Sequence, residues 1–168
     1  LMARDPRFDV MFEPVRFGPV TAPNRFYQVP HCTGIGYRRP QTLAALRGMK
    51  AEGGWGTVCT EYCSIHPSSD DDPYPSASIW DDDDVRALAM MVDSVHEHGA
   101  LAGVELWHGG AASANHYSRE APIGPSSRPA GVYDPVQTRP MDNADISELK
   151  RWNLEAAKRA QRARLDIV

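Results

Sequence analysis

The sequence has few of the features that mark membrane, secreted or nucleic-acid-binding proteins. No run of about 18 apolar residues is present, so no transmembrane helix is predicted. The three cysteines, an odd number, do not make a disulfide framework, and charged residues at the amino end interrupt any apolar leader. The net charge of −4 comes without a basic stripe that could neutralise phosphates. We therefore expect a cytoplasmic protein whose partners include neither nucleic acid nor membrane.

What the sequence does contain suits part of one globular domain. Its 168 residues are 42% hydrophobic and 24% charged, which is ordinary for a domain with a core. Leu1 precedes Met2, and residues 165–168 look like the beginning of a strand. These two features predict that residues 1–168 are the N-terminal portion of a longer domain.

Predicted strands and helices alternate along the chain. Apolar runs predict strands over residues 26–29, 56–65 and 100–108, and residues 166–168 would begin a fourth. Helices are predicted for residues 40–52, after the aspartates 81–84, and after a capping box with Asp145 at the cap. This order implies right-handed crossovers and a parallel sheet. The predicted fold class is α/β, the N-terminal part of a (β/α)8 TIM barrel, because a closed barrel needs about 250 residues.

The spacing of apolar residues predicts which face each helix buries. In the first helix, Leu43, Leu46 and Met49 recur at every third position. In the third, one face is marked by Ile146, Leu149, Trp152, Ala156, Ala160 and Ala163. The aspartates 81–84 suit a helix start better than a metal site, because a helix N-terminus favours negative charge.

Three segments fall outside the alternation. Residues 8–24 read as a short hairpin or an extended lead-in, because turn residues punctuate them. Residues 66–80 and 109–144 read as long loops that follow the second and third strands. Since structureless loops beyond about 12–15 residues are uncommon and usually functional or disordered, both are candidates for building a site.

Side chains that can do chemistry stand where the predicted strands end. The first strand leads into Val29-Pro30-His31-Cys32, the second contains Glu61-Tyr62-Cys63, and the third ends in Glu105-Leu106-Trp107-His108. In a parallel barrel the carboxyl ends of the strands meet at one face, and active sites form there. The sequence therefore predicts one site built from three strands.

Each candidate has a structural alternative. The thiolate of Cys32 can be reached in its glycine-containing loop, whereas Cys59 and Cys63 read as structural thiols. Tyr62 faces opposite to its strand neighbours, and its ring either binds a cationic amine or packs in the core. Trp107 can wall the same pocket or pack, and His31 and His108 can be satisfied polar groups. Glu105 can accept a cofactor N–H or belong to a structural ion pair.

Several segments together resemble the FMN-dependent barrel family of Old Yellow Enzyme. They are Phe12-Glu13-Pro14, Gly18, Asn24-Arg25-Phe26 and residues 103–110. Residues 27–32, 50–55 and 60–65 are similar to the dimethylamine and trimethylamine dehydrogenases within that family. The resemblance covers essentially the whole chain. It departs at Arg164-Leu165, since a glycine usually precedes the fourth strand in these relatives.

The resemblance implies a role for each candidate. Val29, Pro30, His31, Cys32 and Glu105 would bind FMN, with Cys32 forming a thioether to the flavin. Tyr62 and Trp107 would bind the substrate, a small methylamine that loses a methyl group as formaldehyde, with dimethylamine favoured over trimethylamine. The catalytic residues and an iron–sulfur cluster would lie beyond Val168, so residues 1–168 alone would be inactive, and no metal site is predicted within them.

The resemblance also implies partners and leaves two alternatives. An electron-transfer protein would accept the electrons, and the full-length protein would be a homodimer. One alternative is an ene-reductase of the same fold that uses NAD(P)H, against which Cys32 and Tyr62 argue. The other is an inactive partial barrel that serves only as a folding or interaction unit.

Overall fold

The computed structural model describes residues 5–69, 75–130 and 136–168. Strands and helices follow one another as β1 (Val15–Phe17), β2 (Val20–Ala22), β3 (Tyr27–Gln28), α1 (Pro40–Glu52), β4 (Thr57–Ser64), β5 (Ala77–Ser78), α2 (Asp82–His96), β6 (Leu101–Trp107), β7 (Ile123–Gly124), β8 (Arg139–Pro140) and α3 (Asn143–Arg162). Short 3-10 helices span Pro6–Phe12 and Gly110–Ala112. The predicted alternation of strands and helices is confirmed, and the first of these 3-10 helices was not predicted.

The central element of the fold is a parallel sheet in which β4 lies between β3 and β6. Thr57 of β4 pairs with Tyr27 of β3 on one side and with Leu101 of β6 on the other. The short strand β5 pairs with the far end of β4. Beyond β6, an isolated parallel bridge joins Gly103 to Ile167, where the sequence predicts the fourth strand. Apart from the short β5, the strands of this sheet lie side by side in chain order, as in a (β/α) barrel.

The helices cover one face of this sheet. Alternate residues of β6, namely Ala102, Val104 and Leu106, belong to or pack against two apolar clusters that also contain helix residues. The intervening side chains point to the other face, where Glu105 is exposed and Trp107 is half-buried. The second face corresponds to the inside of a closed barrel, and it carries the polar and aromatic groups that end the strands.

One extra residue in β4 reverses which side chains face the helices. Cys59 pairs with Gly103 and Tyr62 pairs with Glu105, so three steps along β4 match two steps along β6. Such a β-bulge shifts the alternation of a strand by one residue. As a result, Glu61 is fully buried while Tyr62, next in the chain, is only partly buried and stands opposite Glu105. The expected opposition of Tyr62 to Glu61 and Cys63 is confirmed.

The buried face of α1 differs from the one predicted. Met49 is 60% exposed, and the buried positions are Leu43, Ala44, Arg47, Gly48 and Ala51. The reason is the close packing of α1 on α2 at Gly48, where an added Cβ would lie 2.1 Å from the Ser94 hydroxyl. The glycine thus selects the contact face, although the predicted bounds of the helix are correct.

The start of α3 also differs from the prediction. Asp142 caps the helix by accepting the Asp145 N–H at 2.9 Å, and Asp145 in turn accepts the Asp142 N–H. The capping box therefore begins three residues earlier than expected, with Asp145 as its third helical residue. Ile146, placed on the buried face by its spacing, is 40% exposed because it lies in the first turn, before the helix reaches the sheet. The rest of the predicted face packs against the core.

The remaining segments add local detail. The predicted lead-in forms the antiparallel hairpin β1–β2. The long segment after β6 carries β7 and β8, which pair in parallel. Residues 70–74 and 131–135 of the two predicted loops, like residues 1–4, lie outside the described residues. Among the described helices, none combines the length and the apolar character that spanning a membrane would require.

Candidate functional site

The carboxyl ends of β3, β4 and β6 bring the predicted groups together. The rings of Tyr62 and Trp107 lie 5.2 Å apart between centroids, with their planes inclined by 38°. Ser76, just before β5, donates its hydroxyl to the Tyr62 hydroxyl oxygen at 3.2 Å. The Cys32 sulfur lies within hydrogen-bonding reach of the Tyr62 backbone N–H and of the Ser76 hydroxyl. A thiol and two aromatic rings therefore share one end of the sheet, as the barrel topology predicted.

The Cys32 thiol is exposed, but its environment does not favour the thiolate. Partial burial raises the pKa of the Cys32 thiol, and the negative charges of Glu61 and Glu105 act in the same direction. The hydrogen bonds from Tyr62 and Ser76 oppose the shift without cancelling it. The thiol is therefore accessible and oriented, and its proton must leave before the sulfur can act as a nucleophile.

The loop that holds Cys32 is anchored from below by Glu61. This carboxylate is fully buried and accepts hydrogen bonds from the backbone N–H and the hydroxyl of Thr33. Its second oxygen accepts the Gly36 N–H at 3.2 Å. An added Cβ at Gly36 would lie 3.0 Å from that oxygen and 2.9 Å from Leu43, so the close approach requires glycine.

A buried arginine holds the beginning of the same loop. Arg47 of α1 is fully buried and donates to the Gln28 side chain at 3.1 Å and to the His31 carbonyl oxygen. Burial lowers the pKa of Arg47, and the negative charge of Glu61 partly offsets that shift. Two buried charges of opposite sign, on α1 and β4, thus fix the chain on both sides of Cys32.

The other predicted site residues also lie at the carboxyl ends of the strands, but the exposure of Glu105 differs from the prediction. Val29 is 62% exposed, and His31 is also exposed beside Cys32. Glu105 was expected to be buried in an apolar strand, but the structure exposes it, because odd-numbered residues of β6 point away from the helices. Its charge therefore carries little desolvation cost. Cys59 and Cys63 are buried, as expected for structural thiols.

A second polar cluster lies on the helix side of the same loops. The His66 ring stacks on Trp152 at 3.8 Å between centroids, and Ser68 lies 2.7 Å from His66 Nδ1 and 3.3 Å from His108 Nε2. Burial lowers the pKa of His66 and lowers that of His108 to about 4. Because the Gly110 N–H donates to His108 Nδ1, the ring is neutral with its proton on Nε2. His108 is therefore a satisfied polar group, one of its two predicted alternatives.

Three residues of the site were missed from the sequence: Arg47, Glu61 and Ser76. For Arg47 a signal existed, since it follows Leu43 by four positions and so lies on an apolar helix face. Glu61 could be found only after the bulge was known. Among residues 5–69, 75–130 and 136–168, no group of His, Cys, Asp and Glu side chains is arranged to hold a metal ion.

Comparison with known proteins agrees with this geometry. The model of the NADH:flavin oxidoreductase / NADH oxidase family matches residues 10–168. Over 99% of its length, the chain is 49% identical to the dimethylamine dehydrogenase of Hyphomicrobium sp. (strain x), of which it covers 24%. The similarity therefore extends through every element of the site described above.

Solved structures of relatives share the fold of this chain. The chain superposes on histamine dehydrogenase from Rhizobium sp. 4-9 with a TM-score of 0.93 and 47% identity, covering 98% of this chain and 26% of that one. Its superposition on an old yellow enzyme homologue from Zymomonas mobilis has a TM-score of 0.80 and 28% identity, and it covers 94% of this chain and 47% of that one. The chain spans between about a quarter and a half of the relatives it matches, and it forms the first units of their TIM barrel. It belongs to the NADH:flavin oxidoreductase / NADH oxidase family of FMN-dependent barrels.

Proposed function

We propose that the full-length gene product is an FMN-dependent oxidoreductase that removes a methyl group from a small methylamine. The observation that carries the proposal is the aromatic pair Tyr62–Trp107 beside the exposed thiol of Cys32, at the sheet edge where this family builds its site. A flavin-binding edge with a thiol and a cation-binding wall suits oxidation of an amine better than reduction of an alkene.

The residues present at this edge fit a flavin. Val29 offers an uncovered apolar surface to a flat ring, and Pro30 and His31 follow it along the same edge. Glu105, exposed on the inner face, is an acceptor for the imide N–H of the ring. When bound, FMN supplies the capacity to accept two electrons, while these side chains supply position and charge.

Cys32 is the proposed point of covalent attachment. Its thiol would lose a hydrogen and form a carbon–sulfur bond in place of one ring hydrogen of the flavin. Dioxygen would take up both hydrogens with their electrons and become hydrogen peroxide. Because the protein raises the pKa of Cys32, attachment is expected to be slow relative to binding of the cofactor.

The proposed substrate is dimethylamine in its protonated form. Tyr62 and Trp107 offer ring faces to the cation, and such contacts contribute about 0.5–2 kcal/mol. Oxidation of dimethylamine with addition of water yields methylamine and formaldehyde and releases two electrons and two protons. The 49% identity to a dimethylamine dehydrogenase supports the choice of a methylamine, and dimethylamine over trimethylamine remains part of the proposal.

The first test is acid precipitation of the full-length gene product, followed by visible absorbance of the pellet. We expect flavin in the pellet of the parent protein and in the supernatant of Cys32→Ala. Cys59→Ala is the matched control, because Cys59 is a buried thiol on the neighbouring strand and should leave the flavin in the pellet. Flavin released entirely by the parent would contradict the proposal and, with oxidation of NADPH, would support an ene-reductase.

The amine is tested on the same protein under anaerobic conditions. Dimethylamine is expected to bleach the flavin absorbance and to release formaldehyde in equal amount. If trimethylamine bleaches it faster at equal concentration, the oxidative demethylation stands and the order of the two substrates is reversed. If neither amine bleaches it, the amine dehydrogenase activity itself is contradicted.

A further inference from the structure

We propose that Glu61 is a positioning residue that holds Cys32 in place for attachment to the flavin. The inference rests on the proposed function, since it concerns how the thiol reaches the cofactor. Glu61 does not touch the Cys32 sulfur. It acts through the loop, accepting hydrogen bonds from Thr33, next to the cysteine, and from Gly36.

The cysteine loop has little packing of its own. His31, Cys32 and Thr33 are all exposed, so apolar burial does not select one conformation for them. What fixes them is a set of hydrogen bonds to buried groups, of which Glu61 supplies three. Carboxylate acceptors make stronger hydrogen bonds than neutral ones, so Glu61 is the main anchor of the loop on the side that follows Cys32.

The bulge in β4 makes this placement possible. If the same residues alternated regularly from Cys59 onwards, without a bulge, Glu61 would turn to the inner face and Tyr62 to the helices. One irregularity therefore puts a carboxylate beneath the thiol loop and an aromatic ring beside the thiol. The two placements arise together, which links attachment of the cofactor to formation of the amine site.

Burial of an isolated carboxylate would be too costly to persist by chance. Glu61 is fully buried, and its neighbours are backbone N–H groups, a hydroxyl and the positive field of Arg47. Groups that satisfy a buried charge so completely usually fix one local conformation. Replacing the carboxylate by an amide of the same shape would leave one N–H donor facing another N–H donor.

The test compares acid-stable flavin with total flavin in purified full-length variants. In Glu61→Gln the bound flavin per protein should stay near the parent value, whereas the acid-stable fraction should fall at least about threefold, because misplacement of a reacting group slows its reaction steeply. Thr33→Val, which removes only one donor at an exposed position, should give a smaller fall and keeps the test decisive if Glu61→Gln does not fold.

Asp166→Asn is the matched control. The Asp166 carboxylate accepts the Ala102 N–H at 2.8 Å at the other end of the sheet, so its loss costs stability without touching the loop. It should leave the acid-stable fraction at the parent level. An unchanged fraction in both Glu61→Gln and Thr33→Val would overturn the positioning role while leaving the proposed function intact. A parent without acid-stable flavin would overturn both.

Discussion

At the scale of single residues, His108 links stability to pH. Its folded pKa of about 4 lies below the ordinary value of 6.5, so the unfolded chain binds this proton more readily. The contribution of His108 to the free energy of unfolding is therefore fully present above pH 6.5 and is lost as the pH falls towards 4. After allowance for solvent screening, we expect a loss of about 1–2 kcal/mol.

The measurement is the urea midpoint of the full-length gene product between pH 4.5 and 7.5. His108→Gln should flatten the acidic side of the profile, because glutamine does not titrate. His98→Gln, at an exposed position on the turn after α2, should leave the profile unchanged. A profile with the same slope in His108→Gln and in the parent would show that other groups cause the dependence.

Tyr62 carries a prediction about binding of the amine. Replacing it by leucine removes the ring face, so KM for dimethylamine should rise roughly 2- to 30-fold, the range that corresponds to one cation–π contact. Tyr62→Phe keeps the ring face and loses only the hydroxyl contact with Ser76, so its KM should change much less. If both variants raised KM equally, the hydroxyl of Tyr62, and not its ring face, would be the group that binds the amine.

At the scale of elements, the end of α3 carries local strain. Arg164 adopts a left-handed backbone with φ +66°, and the N–H groups of Arg164 and Leu165 donate to the carbonyls of Gln161 and Ala160. This is the Schellman arrangement, in which glycine is normally found. Arg164 therefore takes a backbone conformation that glycine adopts more readily than any other residue.

Arg164→Gly is expected to stabilise the protein by up to about 1 kcal/mol, since relief of the left-handed strain exceeds the loss of an exposed ion pair with Asp93. Arg164→Ala loses the same ion pair and keeps the strain, so it should be destabilising. The comparison of thermal midpoints among these two variants and the parent checks the prediction. A glycine variant less stable than the alanine variant would contradict it.

The elements that were predicted correctly from the sequence are those whose apolar pattern extends over many residues. The bounds of α1 followed from apolar residues at every third position between Pro40 and the glycines after Glu52, and those of the central strands followed from runs of apolar residues. The bulge was invisible because β4 is buried on both faces and shows no alternation to interrupt. The wrong face of α1 has a different cause, since a glycine contact with another helix is a tertiary feature.

At the scale of the whole molecule, the site was predictable because topology determines it. A parallel barrel gathers strand ends whatever their spacing in the chain, so Cys32, Tyr62 and Trp107 could be placed together without any contact information. The supporting pair Arg47 and Glu61 could not, since its members point away from the site and act through backbone groups. The sequence was therefore enough to place these three side chains at one edge, whereas the groups that orient the cysteine loop could be identified only from the structure.

The uncovered inner face of the sheet reflects the same architecture. Tyr27, Val29 and Glu105 lie on it and are exposed, while the helix side is tightly packed. Parallel sheets are normally covered on both faces. In a closed (β/α)8 barrel, the fold of the relatives, this face lines the interior.

The extra residue in β4 changes whether odd- or even-numbered residues of that strand point inward. Before it, odd-numbered residues of the strand point inward, and after it even-numbered residues do, whereas β6 keeps odd residues inward throughout. Regular pairing of the same residues, without the bulge, would exchange the environments of a buried carboxylate and an aromatic wall without altering either residue. The pairing of the segment between Cys59 and Tyr62 therefore determines the site as strictly as the identity of its residues.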